Sequence, residues 1–220
     1  MKCVVAAAAA VVLLSLVSLG RSAPLLGCDS IVKPITVSKE ETLGEWLYVG
    51  SSSNVPGSRS LGHLLTSVWF NITENSESNI LDVLQVQRTY GECSAMKYNV
   101  IFEDSAMIIE QPFYLKDVFL TTDCADCLVI FEEVVSGQNE FTSLLLFSRG
   151  KTASPDTLEL FKKQAECLRM PSPIILDPNY DMCPADIQPV EGLSALNSLL
   201  QTKMLRFARI LDFFFDMFVN

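Results

Sequence analysis

From Trp46 to Ser148 the chain is a succession of short runs rich in Val, Ile, Leu, Phe, Tyr and Thr, broken by polar or glycine-containing turns at intervals of roughly 8–12 residues. That rhythm predicts strands at about 45–53, 64–72, 80–89, 93–102, 105–111, 115–122, 126–135 and 140–148. Eight is the strand count of a small closed barrel, whose interior can hold one small ligand. The expected fold class is therefore all-β: an eight-stranded antiparallel up-and-down barrel. No internal repeat, low-complexity tract or linker interrupts it.

After the last strand the period changes. Ser154 and Pro155 offer an N-cap and a proline at the first helical position, and Asp156 and Glu159 follow, so a helix is expected to run to about Arg169, before Pro171. Leu158, Phe161, Ala165 and Leu168 give it one apolar face to lay against the barrel. A second amphipathic helix is expected from about Gly192 to Val219, on a stripe that includes Leu193, Leu196, Leu200, Met204, Phe207, Leu211, Phe214 and Phe218. Ile210, Phe213, Phe215 and Met217 widen the stripe until little polar surface remains. Such a helix either docks on its own domain or presents a patch to lipid or a partner.

The N-terminus changes what is to be folded. Lys2, an apolar run from Val4 to Val17 and the small residues Ser18 and Gly20 have the three-part pattern of a secretory signal peptide over 1–20, with cleavage between 20 and 23. The run of about 14 apolar residues is too short to span a bilayer. The barrel domain is then 24–190 and the tail helix 191–220. Loss of Cys3 leaves Cys28, Cys93, Cys124, Cys127, Cys167 and Cys183, an even set that an oxidising compartment would pair in any of fifteen ways. Asn71-Ile72-Thr73 is a glycosylation sequon beside the polar cluster Glu74–Ser78, which reads as an exposed loop.

The formal charge is −10, becoming −11 when Lys2 leaves with the signal, which argues against nucleic acid or anionic headgroups as partners and favours a cationic ligand. Catalytic chemistry lacks its parts. His63 is the single histidine, so neither a Ser-His-Asp arrangement nor a histidine-rich zinc site can be assembled, and no phosphate-cradling glycine loop occurs. No cofactor or metal is expected. Glu132-Glu133 reads as a solvated pair of strand neighbours pointing to opposite faces. Cys124-Ala125-Asp126-Cys127 has redox spacing but sits at a strand start, where no helix N-terminus lowers a thiol pKa. In extended chain its cysteines lie roughly 10 Å apart, so they can pair only across a turn or bulge.

Three segments in order carry a family resemblance: Leu43-Gly44-Glu45-Trp46, Thr122-Asp123-Cys124, and Arg149 after the eighth strand. They resemble the signature regions of the lipocalins. The resemblance implies that Trp46 plugs the closed end of the barrel with Arg149 stacked on its face, and that Gly44, Thr122 and Asp123 are structural. The second region departs from the family's Thr-Asp-Tyr, with Cys124 and Cys127 replacing two aromatics; a family hairpin here would supply the bend a Cys124–Cys127 bond needs. Glu166-Cys167-Leu168-Arg169-Met170-Pro171, with Cys183 beyond, resembles the alpha-1-acid glycoprotein branch, and within it the fish tributyltin-binding and saxitoxin/tetrodotoxin-binding proteins. That branch implies the pairs Cys28–Cys167 and Cys93–Cys183. The resemblance covers about 24–190, and the tail has no counterpart in it.

An inward Trp46 puts Tyr48 and Gly50 on the same face, and an inward Arg149 does the same for Phe147, Leu145 and Ser143. The family's ligand-facing positions add Trp69, Gln85 and Gln87. The expected ligand-binding set is thus Tyr48, Trp69, Gln85, Gln87, Leu145 and Phe147. The resemblance implies a secreted, extracellular carrier or scavenger of small hydrophobic or cationic molecules, toxicants such as tributyltin or guanidinium toxins included, and not an enzyme. The competing expectation is an association module that meets lipid or protein through 191–220, with the barrel as scaffold.

Overall fold

In the computed structural model, residues 27–60, 62–201 and 204–218 are described; the signal segment 1–20, its cleavage region and Val219 lie outside them. Two short helices, α1 (Cys28–Ile31) and α2 (Lys39–Thr42), lead into eight strands: β1 (Gly44–Ser53), β2 (Leu65–Glu74), β3 (Ile80–Thr89), β4 (Glu92–Glu103), β5 (Ala106–Ile109), β6 (Tyr114–Leu120), β7 (Cys127–Ser136) and β8 (Asn139–Ser148). Each pairs antiparallel with its sequence neighbour. β1 pairs with β8 and β4 with β5, which closes the barrel. Helix α3 (Pro155–Cys167), two two-residue strands, β9 (Ile174–Ile175) and β10 (Val190–Glu191), and helices α4 (Gly192–Gln201) and α5 (Met204–Phe218) complete the described chain. The sequence leads one to expect a single tail helix; the described residues form two helical segments.

Period-two alternation produces two cores. The inner faces of the strands enclose a cluster running from Trp46, Val37 and Phe113 through Leu81, Phe119 and Phe141. The outer faces of β1, β7 and β8 offer Val49, Val129, Leu144 and Leu146 to Phe161 and Ala165 of α3. That helix is capped by the Ser154 hydroxyl, which accepts from the Thr157 amide. Its buried Gln164 donates to the carbonyls of Ile31 and Thr121, both at 2.7 Å.

The barrel is not fully zipped. β1 leaves β2 after the Leu47–Trp69 pair, and β9 lies along Gly50 and Ser51 in the opening. Likewise β4 meets β5 only at Ile101–Glu103, and β10 runs parallel to it at Met96 and Lys97. The segment after α3 therefore fills both gaps. A third cluster, Leu47, Trp69, Val86, Ala95 and Cys183, lies beneath it on the outer wall.

Three disulfides fix this arrangement. Cys28–Cys167 ties α1 to the end of α3, Cys93–Cys183 ties β4 to the segment after α3, and Cys124–Cys127 closes the turn before β7. The turn has its own geometry: the Cys127 amide donates to the Cys124 carbonyl.

Candidate ligand-binding site

The closed end of the barrel is built first. Ser38 and Glu41 form a reciprocal capping box on α2, and the Trp46 indole donates to the Thr42 carbonyl at 2.8 Å. The Arg149 guanidinium lies 3.4 Å above the Trp46 ring and donates to the carbonyls of Glu45 at 2.7 Å and Leu43 at 2.8 Å. Arg149 thus sits outside the strand end and clamps the chain around Gly44. Thr122 accepts from the Cys124 amide, and Asp123 accepts from the Thr157 hydroxyl at 2.8 Å, joining that turn to the start of α3.

Above Trp46 the barrel holds a cavity of about 310 Å³, at the small end of the range for ligand pockets. Its walls include Tyr48, Gln85, Gln87, Leu145 and Phe147. The Phe147 ring meets Phe70 and Tyr48 edge to face at 5.3 and 5.9 Å. Gln85 donates to Gln87 and accepts from the Tyr98 hydroxyl.

Two of the expected inward residues point out. Trp69 pairs in register with Leu47 and Val86, both on the outer face, because the inner positions of β2 are Val68, Phe70 and Ile72. Its indole donates to the Cys183 carbonyl at 3.1 Å, beside the Cys93–Cys183 bond. Gly50 is displaced by a bulge between Tyr48 and Gly50. It faces β9 so closely that a Cβ there would come within 2.5 Å of the Ile174 carbonyl oxygen. The bulge turns Ser51 and Ser53 inward in its place: Ser51 accepts a short hydrogen bond from Tyr48, and Ser53 lies 2.9 Å from Ser143.

The sequence reading missed the most polar part of the wall. Asp117 on β6 and Glu132 on β7 are directly opposed, and both line the cavity. The surface they retain faces the cavity. Burial, with each carboxylate repelling the other, holds Asp117 well above the usual carboxylate range. Burial also raises Glu132, opposed by its hydrogen bond to Ser143. One Asp117 oxygen is buried without a hydrogen-bond partner among the described residues. Burial and the nearby acids push the Tyr98 phenol up, and burial pushes Tyr48 up to about 12. The sequence did carry a signal: Leu115 is inward on β6 and Ile130 on β7, so period two puts Asp117 and Glu132 on the same inner faces. Glu133, by contrast, pairs with Lys116 on the outside.

The tail roofs the cavity. Gly192, Leu193 and Leu196 of α4 line it, and Leu200 is buried in the inner core. Among the described residues, no group of His, Cys, Asp and Glu is arranged to hold a metal ion, and no helix is long and apolar enough to cross a membrane.

Comparison with known proteins gives this geometry its context. The ApoM domain family matches residues 12–186. Human epididymal-specific lipocalin-6 is 28% identical over 131 residues, 59% of this chain and 80% of the relative. The solved structure of the siderocalin Ex-FABP, described as functioning through dual ligand specificities, superposes with a TM-score of 0.57 at 22% identity, over 68% of this chain and 98% of that one. The chain belongs to the ApoM-domain family of the lipocalins, proteins that bind small hydrophobic ligands and are generally carriers, not enzymes.

Proposed function

We propose that this lipocalin is a secreted carrier or scavenger of small, mainly apolar cations. The observation that carries the reading is the opposed Asp117–Glu132 pair inside an otherwise apolar cavity. Two opposed carboxyls set in an apolar cavity wall either keep a proton or find a positive partner, and a ligand bearing one cationic group would satisfy both them and the Asp117 oxygen that has no partner among the described residues. A guanidinium or protonated amine matches such acceptors with its N–H donors. An organotin cation would meet carboxylate oxygens but no free thiol, since all six described cysteines are paired. The residues assigned to the ligand are Tyr48, Gln85, Gln87, Leu145 and Phe147, with Asp117, Glu132 and Tyr98 added. Trp69 is withdrawn. Secretion rests on the signal pattern of 1–20 and on the three disulfides. A glycan on Asn71 would project from the outer wall of β2, since its neighbours Phe70 and Ile72 face inward.

Fluorescence titration tests the reading with two flat probes of equal size: N-methylacridinium, permanently charged, and anthracene, neutral. Saturable one-to-one binding that favours the cation, and loses that preference in Asp117→Asn with Glu132→Gln, is the expected result. Equal affinity for both probes, unchanged by the substitutions, removes the cation reading and leaves an apolar carrier.

One observation favours a second role, association through the tail. The outer side of α5 exposes Phe207, Phe213 and Phe218, each more than 60% accessible, a face suited to lipid or protein. Co-flotation of the intact protein with phosphatidylcholine vesicles, lost on substituting those three phenylalanines with serine, would support it.

A further inference from the structure

The tail is held differently from the rest of the molecule. The three disulfides bind α1, α3, β4 and the turn before β7, and none reaches beyond Cys183. From Val190 onward the chain is held by non-covalent contacts alone. The contacts of β10 and α4 with the barrel include the short β10 pairing, the burial of Leu200, the packing of Leu193 against the inner core, and hydrogen bonds from Ser136 to Asn197 at 2.9 Å and from Asn139 to the Leu200 carbonyl at 3.5 Å. Gly192 lies flat on Met96, where a Cβ would come within 2.8 Å of the side chain.

Among the described side chains of α5, those that hold it to the barrel are mainly polar. The Asp212 carboxylate accepts from the Gly57 amide at 2.7 Å, the Ser60 amide at 2.9 Å and the Ser60 hydroxyl at 2.7 Å. Asp216 pairs with Arg59 at 2.9 Å, and Phe215 stacks on His63 at 4.6 Å. All of these partners lie in one segment, the connection between β1 and β2. Ala208 is buried beside them, while most of the described aromatic side chains of α5 point away from the barrel. An element with little buried apolar area and many water-replaceable polar contacts opens at low free energy.

We propose that β10, α4 and α5 form a lid on the barrel mouth: Leu193 and Leu196 are ligand contacts, and the Asp212 clasp on the β1–β2 connection sets the rate at which ligand exchanges. The inference rests on the carrier reading and adds its regulation. The cavity wall is incomplete without α4, so a ligand that fills the cavity touches the tail. Gly192, Leu193 and Leu196 form part of the cavity wall, so displacing α4 widens the path by which a ligand passes. The clasp is suited to release, because its three donors gain water as the acceptor leaves, and no buried charge is stranded.

Stopped-flow exchange of N-methylacridinium on the full secreted chain is the test, with two variants that act in opposite directions. Asp212→Ala removes the acceptor of three hydrogen bonds and is expected to speed both association and dissociation by about tenfold or more. Ser60→Cys with Asp212→Cys puts one sulfur at the Ser60 hydroxyl position and the other at that of the Asp212 carboxyl carbon, on either side of a contact now 2.7 Å long. Once the bond is verified by peptide mapping, it is expected to slow both rates by at least as much. Leu193→Ala with Leu196→Ala is expected to weaken equilibrium binding several-fold, from the lost apolar contact. If the probe binds and neither clasp variant changes its exchange rate, the tail is a fixed wall and the lid is wrong, while the carrier reading stands. Failure of the wild type and both clasp variants to bind N-methylacridinium or anthracene would overturn the carrier reading itself.

Discussion

Replacing Asp117 with asparagine should stabilise the empty protein and spoil it for cations. Directly opposed residues on antiparallel strands have Cβ atoms about 5 Å apart, so at an effective dielectric of about 20 two ionised carboxylates there would repel by roughly 3 kcal/mol. The unpartnered Asp117 oxygen adds desolvation that no hydrogen bond offsets. Both effects raise the proton affinity of the pair in the folded state. The folded protein therefore binds protons more tightly than the unfolded chain. The pair's contribution to stability is greatest below the ordinary carboxylate range and is lost as pH rises through the raised values. Asparagine abolishes much of that fall. At pH 8 we expect a gain of about 1–3 kcal/mol, which for a chain of this size is a rise in Tm of about 2–10 °C, and at pH 4 little difference from wild type. Calorimetry at the two pH values reads this directly. The same substitution should weaken N-methylacridinium binding at pH 8 by about tenfold or more, while wild-type affinity for this non-titrating probe grows as pH rises and the pair ionises. A variant that is less stable than wild type at pH 8 and binds the cation equally well would refute the reasoning.

Other perturbations probe the scaffold. Gly50→Ala should destabilise by about 1–3 kcal/mol in urea denaturation, because the added carbon collides with the β9 backbone, which must move. Arg149→Ala removes the cation over Trp46 and its clamps on Glu45 and Leu43; discounted for the partial exposure of Arg149, it should lower the urea-derived stability by about 1–2 kcal/mol with little effect on probe affinity. Cys28→Ser with Cys167→Ser opens a link across 139 residues and should cost about 2–5 kcal/mol, seen as a lower denaturation midpoint. Asn71→Gln should reduce the mass of the secreted protein by one glycan and leave cation binding unchanged, since the position lies on the outer wall.

The legible and illegible parts of the sequence divide on physical grounds. Strands and barrel closure were readable because period two persists through nearly every run, and one buried face enforces it. What alternation cannot show is where its phase breaks. A single extra residue near Gly50 reversed that face of β1, exchanging Gly50 for Ser51 and Ser53. Trp69 was placed by family position although it is one residue from the inward Phe70, and on a strand one residue is the whole difference between cavity and outer wall. Asp117 and Glu132 were passed over for the opposite reason. Acids read as solvent-facing when each is judged alone, and only pairing β6 with β7 brings them together inside. In the tail, apolar residues surround the helix so completely that the pattern could not choose the docked face. Asp212 and Asp216, the acidic residues of α5, choose it.

Closure of the barrel by β9 and β10 has a consequence for truncated chains. A chain that ends between Cys183 and Val190 keeps all eight barrel strands, α3 and the three disulfides, yet leaves the open edge of β4 without β10. Unpaired N–H and C=O groups in a row are a template for strands of other molecules. Premature ends in this region should therefore yield folded barrels with an edge open to pairing between molecules.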